Sequence, residues 1–157
     1  MNRTVDLSTK GFGSRLRRLL DQLDRDILNL YREAGVRFEP RWYAVFSELC
    51  DNGPATVGDL ARRLGVTHAA VSQVRSALQA EGLIETRPDP ADGRRHVLTL
   101  TPDGAAMAAT LRPLWDAVNA ATARVLAEDA PALLGELAAL TLALDRRPLS
   151  ARAKDLL

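Results

Sequence analysis

The sequence has few of the residues that usually carry catalysis or metal binding. Its 157 residues include one cysteine and two histidines, so no internal disulfide can form and zinc ligands are scarce. The N-terminus lacks an apolar segment of signal-peptide length, and no stretch approaches the roughly 20 apolar residues of a membrane span. We also find no glycine-rich phosphate loop and no assembled catalytic triad. We therefore expect a cytoplasmic protein that is not an enzyme, with no cofactor, no metal and no membrane partner.

An excess of charge of one sign is also absent. Lys plus Arg number 21 and Asp plus Glu number 20, and the arginines and carboxylates of residues 56–104 cancel. Affinity for a polyanion would therefore depend on where individual arginines lie, and not on a broad basic field. The 46% hydrophobic content is enough for a real core, and we expect a single folded unit over 1–157.

Residues 56–101 carry the most informative pattern, TVGDLARRLGVTHAAVSQVRSALQAEGLIETRPDPADGRRHVLTLT. Thr56 is a good N-cap, and Asp59, three residues later, forms a carboxylate variant of the capping box. Gly65 is placed to end this first helix, and Thr67 to begin the next. Two helices joined by so short a turn must cross steeply, which predicts a helix-turn-helix.

The second of these helices has two distinct faces. Val71, Val74 and Leu78 share an apolar side that should pack on the core. The opposite side carries small and hydrogen-bonding side chains, which suit a major groove. We call this side the recognition face: Thr67, His68, Ala69, Ser72, Gln73, Arg75 and Ser76.

A β-hairpin should follow this helix. Residues 83–87 and 96–101 alternate apolar and polar side chains with the period of half-buried strands. Between them Pro88, Pro90 and Gly93 favour a turn, and Arg94 and Arg95 place two cations at the returning base of the hairpin. Such a wing could reach a phosphate or a minor groove.

Residues 36–126 resemble the MarR family of bacterial transcriptional regulators, most specifically in DPADGRR followed by LTLTPDG. The resemblance implies an obligate homodimer with a recognition helix in each major groove, wing arginines in the flanking minor grooves, and frequent inhibition by small ligands. Asp92 and Arg94 match the family's Asp-x-Arg, in which the acid orients the arginine. Gly93 departs from the family pattern, where a basic residue is common, so this wing has one cation fewer.

Apolar helices flank the winged lobe. Residues 14–34 form an amphipathic pattern, and Pro40 should begin a helix containing Trp42. Beyond the wing, a long helix opened by Thr101-Pro102-Asp103 should contain Pro113, and another should begin at Asp129-Ala130-Pro131. We expect a mainly α (α+β) fold: a winged helix-turn-helix lobe at 36–101, with dimerisation helices at 9–35 and 102–147.

The function predicted from these features is sequence-specific binding of double-stranded DNA by a homodimeric repressor that recognises a pseudo-palindromic operator. One alternative is a winged helix that binds only proteins, since the net charge is close to zero. A metal site at His68 and His96 has less support. Redox sensing through Cys50 also has less support, because Cys50 ends an apolar helical run where a buried, inert thiol is expected.

Aromatic side chains suggest a further site. Several fall on the helices that should join the winged lobe to the dimerisation helices, where a small aromatic or amphipathic effector could bind. Ordinary core packing is the alternative. The candidate cleft residues are Tyr31, Trp42, Phe46 and Trp115.

Overall fold

The computed structural model describes residues 10–89 and 91–157 of the chain. It is mostly helical with one small sheet, as the sequence predicts. The predicted start of the first dimerisation helix at residue 9 and the turn role of Pro90 lie outside the described residues. The elements are α1 (Phe12–Glu33), a 3₁₀ turn (Pro40–Trp42), α2 (Tyr43–Asn52), α3 (Val57–Leu64), α4 (His68–Ala80), β1 (Ile84–Pro88), β2 (His96–Leu100), α5 (Pro102–Asp129), α6 (Leu133–Arg146) and α7 (Leu149–Lys154).

The helix-turn-helix begins and ends at the predicted residues. The Thr56 side chain accepts a hydrogen bond from the Asp59 amide at the start of α3, and Gly65 ends α3 at φ 65°. This left-handed conformation is one that glycine adopts without steric cost. The Thr67 side chain then accepts from the Ala70 amide at the start of α4. Both helices are therefore capped by their own side chains.

The wing is an antiparallel pair whose register runs from Ile84 opposite Leu100 to Pro88 opposite His96. Pro88, predicted in the turn, is instead the last residue of β1, a position where its missing N–H is tolerated. A bridge between Ala55 and Leu98 joins the hairpin to the segment before α3, with N···O distances of 3.2 and 2.8 Å. The wing is thus anchored to the helical lobe along β2.

The start of α5 is fixed against the turn that follows α4. The Thr101 hydroxyl donates to the Gly82 carbonyl at 2.5 Å and accepts from the Gly104 amide at 3.0 Å. A Cβ added at Gly104 would lie 1.9 Å from the Leu83 carbonyl oxygen, so this close approach of two backbones requires glycine. The buried core of this lobe includes Tyr31, Phe38, Trp42, Val45, Phe46, Leu49, Leu60, Val71, Leu78, Leu83, Ile84, Leu98 and Leu111.

The chain forms two compact units, one ending at Leu114 and the other covering Trp115–Leu157, with α5 running through the boundary. Within the second unit, α6 begins four residues later than predicted, because Asp129 is still the last residue of α5. The sequence analysis placed no helix after residue 147, whereas α7 follows Pro148. The Arg152 guanidinium donates to the carbonyls of Arg147 and Ala143 and so satisfies the end of α6.

Leucines on α1 and α6 are exposed in the single chain. Those of α1 expose 41–58% of their surface, at Leu16, Leu19, Leu20 and Leu23. Those of α6 expose 37–64%, at Leu133, Leu134, Leu137, Leu140, Leu142 and Leu144. Such uncovered apolar faces usually mark an interaction surface. Among the described residues, no helix is long and apolar enough to cross a membrane.

Candidate nucleic-acid interface

The recognition face lies mainly on the open side of α4. Thr67, His68, Ala69, Gln73 and Ser76 are exposed, and Ser72 is half-buried. Two hydroxyls already serve the helix itself: that of Thr67 accepts from the Ala70 amide, and that of Ser76 donates to the Ser72 carbonyl at 3.0 Å. The exposed Gln73 side chain carries an amide that can both donate to and accept from a base edge.

Arg75 differs from the exposed position predicted for it. It is half-buried, and its Nε atom is buried without a hydrogen-bond partner among the described residues. Its place on α4 explains the burial, because Arg75 follows the buried Val71 by four residues and precedes the buried Leu78 by three. The half-buried Arg75 side chain is consequently less available to a base edge than the exposed Gln73 side chain.

The two wing arginines have different surroundings. The Arg94 side chain is 98% exposed, and its Nε lies 3.8 Å from Asp92 Oδ1, while Asp92 Oδ1 also accepts from the Arg94 amide at 3.1 Å. Arg95 closes the loop through its backbone, accepting from the Asp89 amide at 2.8 Å and donating to the Asp92 carbonyl at 2.9 Å. Arg94 thus projects into solvent, whereas Arg95 is held at the base of the loop.

Asp59 connects three neighbours through one carboxylate. Its Oδ2 accepts from the Thr56 hydroxyl at 2.7 Å and lies 3.3 Å from Arg95 Nη2, while its Oδ1 lies 2.6 Å from Arg62 Nη2. The hydrogen bond from Thr56, followed by that from Arg62, lowers the pKa of Asp59 to about 2. The carboxylate is therefore charged throughout the neutral pH range.

The base of the wing and the starts of α3 and α4 border a cleft of about 480 Å³, whose lining includes Thr56, Asp59, Arg62, His68 and Arg95. The His68 ring lies so close to α3 that a Cβ added at Gly58 would be 3.3 Å from its Cε1. These contacts bring residues of the recognition face and the wing to one side of the lobe.

Sequence reasoning identified Asp59 as a capping residue and missed its contact with Arg95. The two residues are 36 positions apart, and their pairing depends on the hairpin folding back towards α3. Opposite charge alone could not identify the Asp59–Arg95 pair, because the lobe contains several other acidic residues with which Arg95 could pair. Only the path of the chain selects this pair.

The candidate cleft residues are all buried. Tyr31, Trp42 and Phe46 surround Phe38, with ring centroids 5.6, 5.4 and 5.3 Å from it. We call these four residues the aromatic cluster. Trp42 Nε1 is buried with no hydrogen-bond partner among the described residues. Trp115, which belongs to the second unit, is also buried, with 7% of its surface exposed.

Cys50 is half-buried, and burial raises the pKa of its thiol to about 11, against a smaller lowering effect of Arg112. The cation that opposes the effect of burial therefore belongs to α5. A thiol with so high a pKa is a poor nucleophile at neutral pH. Within the described part of the chain, no group of three or more His, Cys, Asp or Glu residues could hold a metal ion.

Comparison with known proteins identifies the architecture. Residues 38–95 match the model of the MarR family. A stretch of 71 residues is 32% identical to the HTH-type transcriptional repressor NicR of Pseudomonas putida, covering 43% of this chain and 45% of that protein, so the similarity spans less than half of either.

Two solved structures are similar over most of their length. The PcaV transcriptional regulator from Streptomyces coelicolor, solved with its natural ligand, is 26% identical with a TM-score of 0.65, and the match covers 90% of this chain and 97% of PcaV. A probable transcriptional regulator from Pseudomonas aeruginosa is 28% identical with a TM-score of 0.56, covering 78% and 93%. Residues 38–95 therefore match the MarR family, and the capped helix-turn-helix and arginine-bearing wing make this chain similar in fold to these transcriptional regulators.

Proposed function

We propose that this protein is a cytoplasmic, homodimeric repressor that binds a pseudo-palindromic operator in double-stranded DNA. The observation that carries the proposal is the exposure of the recognition face on a helix capped at Thr67, beside a wing that projects Arg94. A helix presenting polar side chains can read base edges in the major groove, and an exposed arginine on a hairpin can enter the adjacent minor groove. The similar stretch of NicR belongs to a protein named as a repressor, which supports the direction of regulation.

Local contacts, and not net charge, would supply the affinity. The net charge is +1, and Arg62, Arg63 and Arg87 are each paired with a carboxylate of the lobe. Arg94 is held only loosely by Asp92, so it is the wing cation most available to a phosphate or a minor groove. A modest salt dependence of binding should follow, because few free cations would replace counterions on the DNA.

The dimer would be built from the exposed leucines of α1 and α6. Removing apolar surface from water stabilises a protein by about 25 cal/mol per Å². Association of these faces with a second copy would therefore be favourable. A two-fold axis would then present two recognition helices to half-sites roughly 10 bp apart. The resemblance to the MarR family also implies a homodimer.

We further propose that a small aromatic or amphipathic effector binds at the aromatic cluster and weakens DNA binding. The buried Nε1–H of Trp42, which has no hydrogen-bond partner in the described part of the chain, supports this, because a polar group of a ligand would satisfy a donor that otherwise carries a desolvation cost. PcaV, the similar protein from Streptomyces coelicolor, binds a natural ligand. A ligand acts in this way only if it binds the DNA-incompetent arrangement better than the competent one. Trp115 stays a predicted member of this site.

The experiment that tests the DNA-binding proposal is selection of bound fragments from sheared genomic DNA, followed by fluorescence anisotropy on the recovered sequence. We expect one pseudo-palindrome to be enriched and bound far more tightly than a scrambled duplex of equal length. Enrichment of no sequence, with equal weak binding to both duplexes, would contradict the proposal and favour a winged helix that binds proteins.

A further inference from the structure

We propose that Asp59 is a positioning residue for DNA recognition: by holding Arg95 it fixes the described part of the wing loop, residues 89 and 91–95, so that Arg94 is presented to the minor groove. This inference rests on the proposed function for its DNA-binding readout. It assigns different roles to the adjacent residues Arg94 and Arg95. We call the Asp59–Arg95 pair the wing latch.

The wing latch connects the wing loop to α3. Arg95 is the residue at which the loop returns to β2, and its backbone closes the loop through the Asp89 amide and the Asp92 carbonyl. Its side chain then crosses to α3, where Nη2 lies 3.3 Å from Asp59 Oδ2. One residue therefore carries both the internal closure of the loop and its attachment to the helix-turn-helix.

Asp59 is held in position before Arg95 contacts it. The Thr56 hydroxyl and the Arg62 guanidinium hold its two oxygens at 2.7 and 2.6 Å, and 22% of its side-chain surface is exposed. An exposed ion pair between two mobile side chains contributes little, because both must be ordered. Here one partner is already fixed by the N-cap of α3, so Arg95 docks on an oriented acceptor.

Arg94 and Arg95 differ in exposure and direction. The Arg95 side chain is 53% exposed and directed back to the lobe, whereas that of Arg94 is 98% exposed. An arginine already engaged with a carboxylate must give up that contact before it can bind a phosphate. Arg94 is therefore the arginine that contacts the minor groove, and Arg95 and Asp59 determine its position.

The test compares operators that differ only in the segment beside each half-site, one A·T-rich and one G·C-rich, because minor-groove width and potential differ between them. The variants are Asp59→Asn, Arg95→Gln and their combination. Asn keeps an acceptor for the Thr56 hydroxyl, so the start of α3 is preserved. Glu85→Gln is the matched control, because it also removes one carboxylate charge and frees one arginine. That arginine is Arg87, whose Nη2 lies 2.5 Å from Glu85 in the same strand, so the contact between the wing and α3 is kept.

We expect the ratio of the two Kd values to approach one in Asp59→Asn and Arg95→Gln, as in Arg94→Ala, with no further change in the double variant. Glu85→Gln should keep the ratio of the unmodified protein. A wild-type ratio in Asp59→Asn, or additive effects of the two latch variants, would overturn the proposal.

A readout without DNA separates this inference from the proposed function. Amide hydrogen exchange of Asp89 and Arg95 should accelerate in both latch variants and not in Glu85→Gln, because the loop closure loses its support. Unchanged exchange at these amides contradicts the latch even if the operator is bound. Faster exchange in a protein that binds no operator preserves the latch and refutes DNA binding.

Discussion

The winged lobe and α6 both carry large apolar side chains, but these side chains are buried in the lobe and exposed on α6. In the lobe, Phe38, Phe46 and Leu60 expose 2% of their surface or less, whereas Leu134 and Leu142 on α6 expose 64% and 57%. The apolar side chains of the lobe are therefore covered within one chain, whereas those on the α6 face are not. We therefore expect the lobe to be stable within one chain, and the stability of the α6 region to depend on protein concentration through the proposed dimer.

The largest effect should come from a charge placed on the α6 face. In Leu137→Asp, a dimer would bury an unpaired carboxylate from each chain, at a cost of about 3–5 kcal/mol for such a group, so it should dissociate. Sedimentation velocity gives the mass, and anisotropy gives operator affinity, which should fall together with it. Leu137→Met should keep both. A dimeric, operator-binding Leu137→Asp protein would mean that this face is not the interface.

Truncation inside the aromatic cluster should affect the lobe itself. Phe38 contacts three other rings, so Phe38→Ala should destabilise the fold by about 3–5 kcal/mol at any protein concentration. Leu134→Ala, at an exposed position, should instead lower the melting temperature only where the wild-type protein is dimeric. Melting curves over a hundredfold concentration range distinguish the two. Equal, concentration-independent losses would break the comparison between the regions.

Within the lobe, the recognition face and the wing should differ in what they contribute. Gln73→Ala should change which bases are preferred by about 1–3 kcal/mol if the amide makes a bidentate contact. Arg94→Ala should weaken binding to operators that differ only in their major-groove half-sites by a similar factor for each. Anisotropy on a set of single-base operator variants measures both. The same profile of losses for the two variants would remove the distinction.

The smallest effect concerns the Cys50 thiol. Its pKa in the folded chain, about 11, exceeds the ordinary value of 9.0, so ionisation favours the unfolded chain. The stability contributed by the neutral thiol is therefore complete below pH 9 and is lost as the pH rises towards 11. Cys50→Ser should remove this part of the pH dependence, measured by denaturant unfolding. Iodoacetamide should alkylate the native thiol slowly at pH 8, and fast labelling there would point to a reactive cysteine instead.

Local signals predicted the parts of the fold whose causes are local. Thr56, Gly65 and Thr67 mark helix ends because caps and left-handed residues act within a few positions. The pairing of Asp59 with Arg95 and the approach of Arg112 to Cys50 join residues 36 and 62 positions apart, so sequence patterns could not select them. The aromatic cluster shows an intermediate case: the sequence left a ligand cleft and core packing open for these residues, and the central position of Phe38 depends on the packing of the helices.

The most direct test of the central account is the mass and footprint of the protein–operator complex. Each chain has a mass of 17.1 kDa. Analytical ultracentrifugation should find two chains for each operator, and hydroxyl-radical footprinting should find two protected half-sites with centres roughly 10 bp apart. A complex with one chain and one protected half-site, bound as tightly as the full operator, would contradict the claim that the exposed leucines join two copies for DNA recognition.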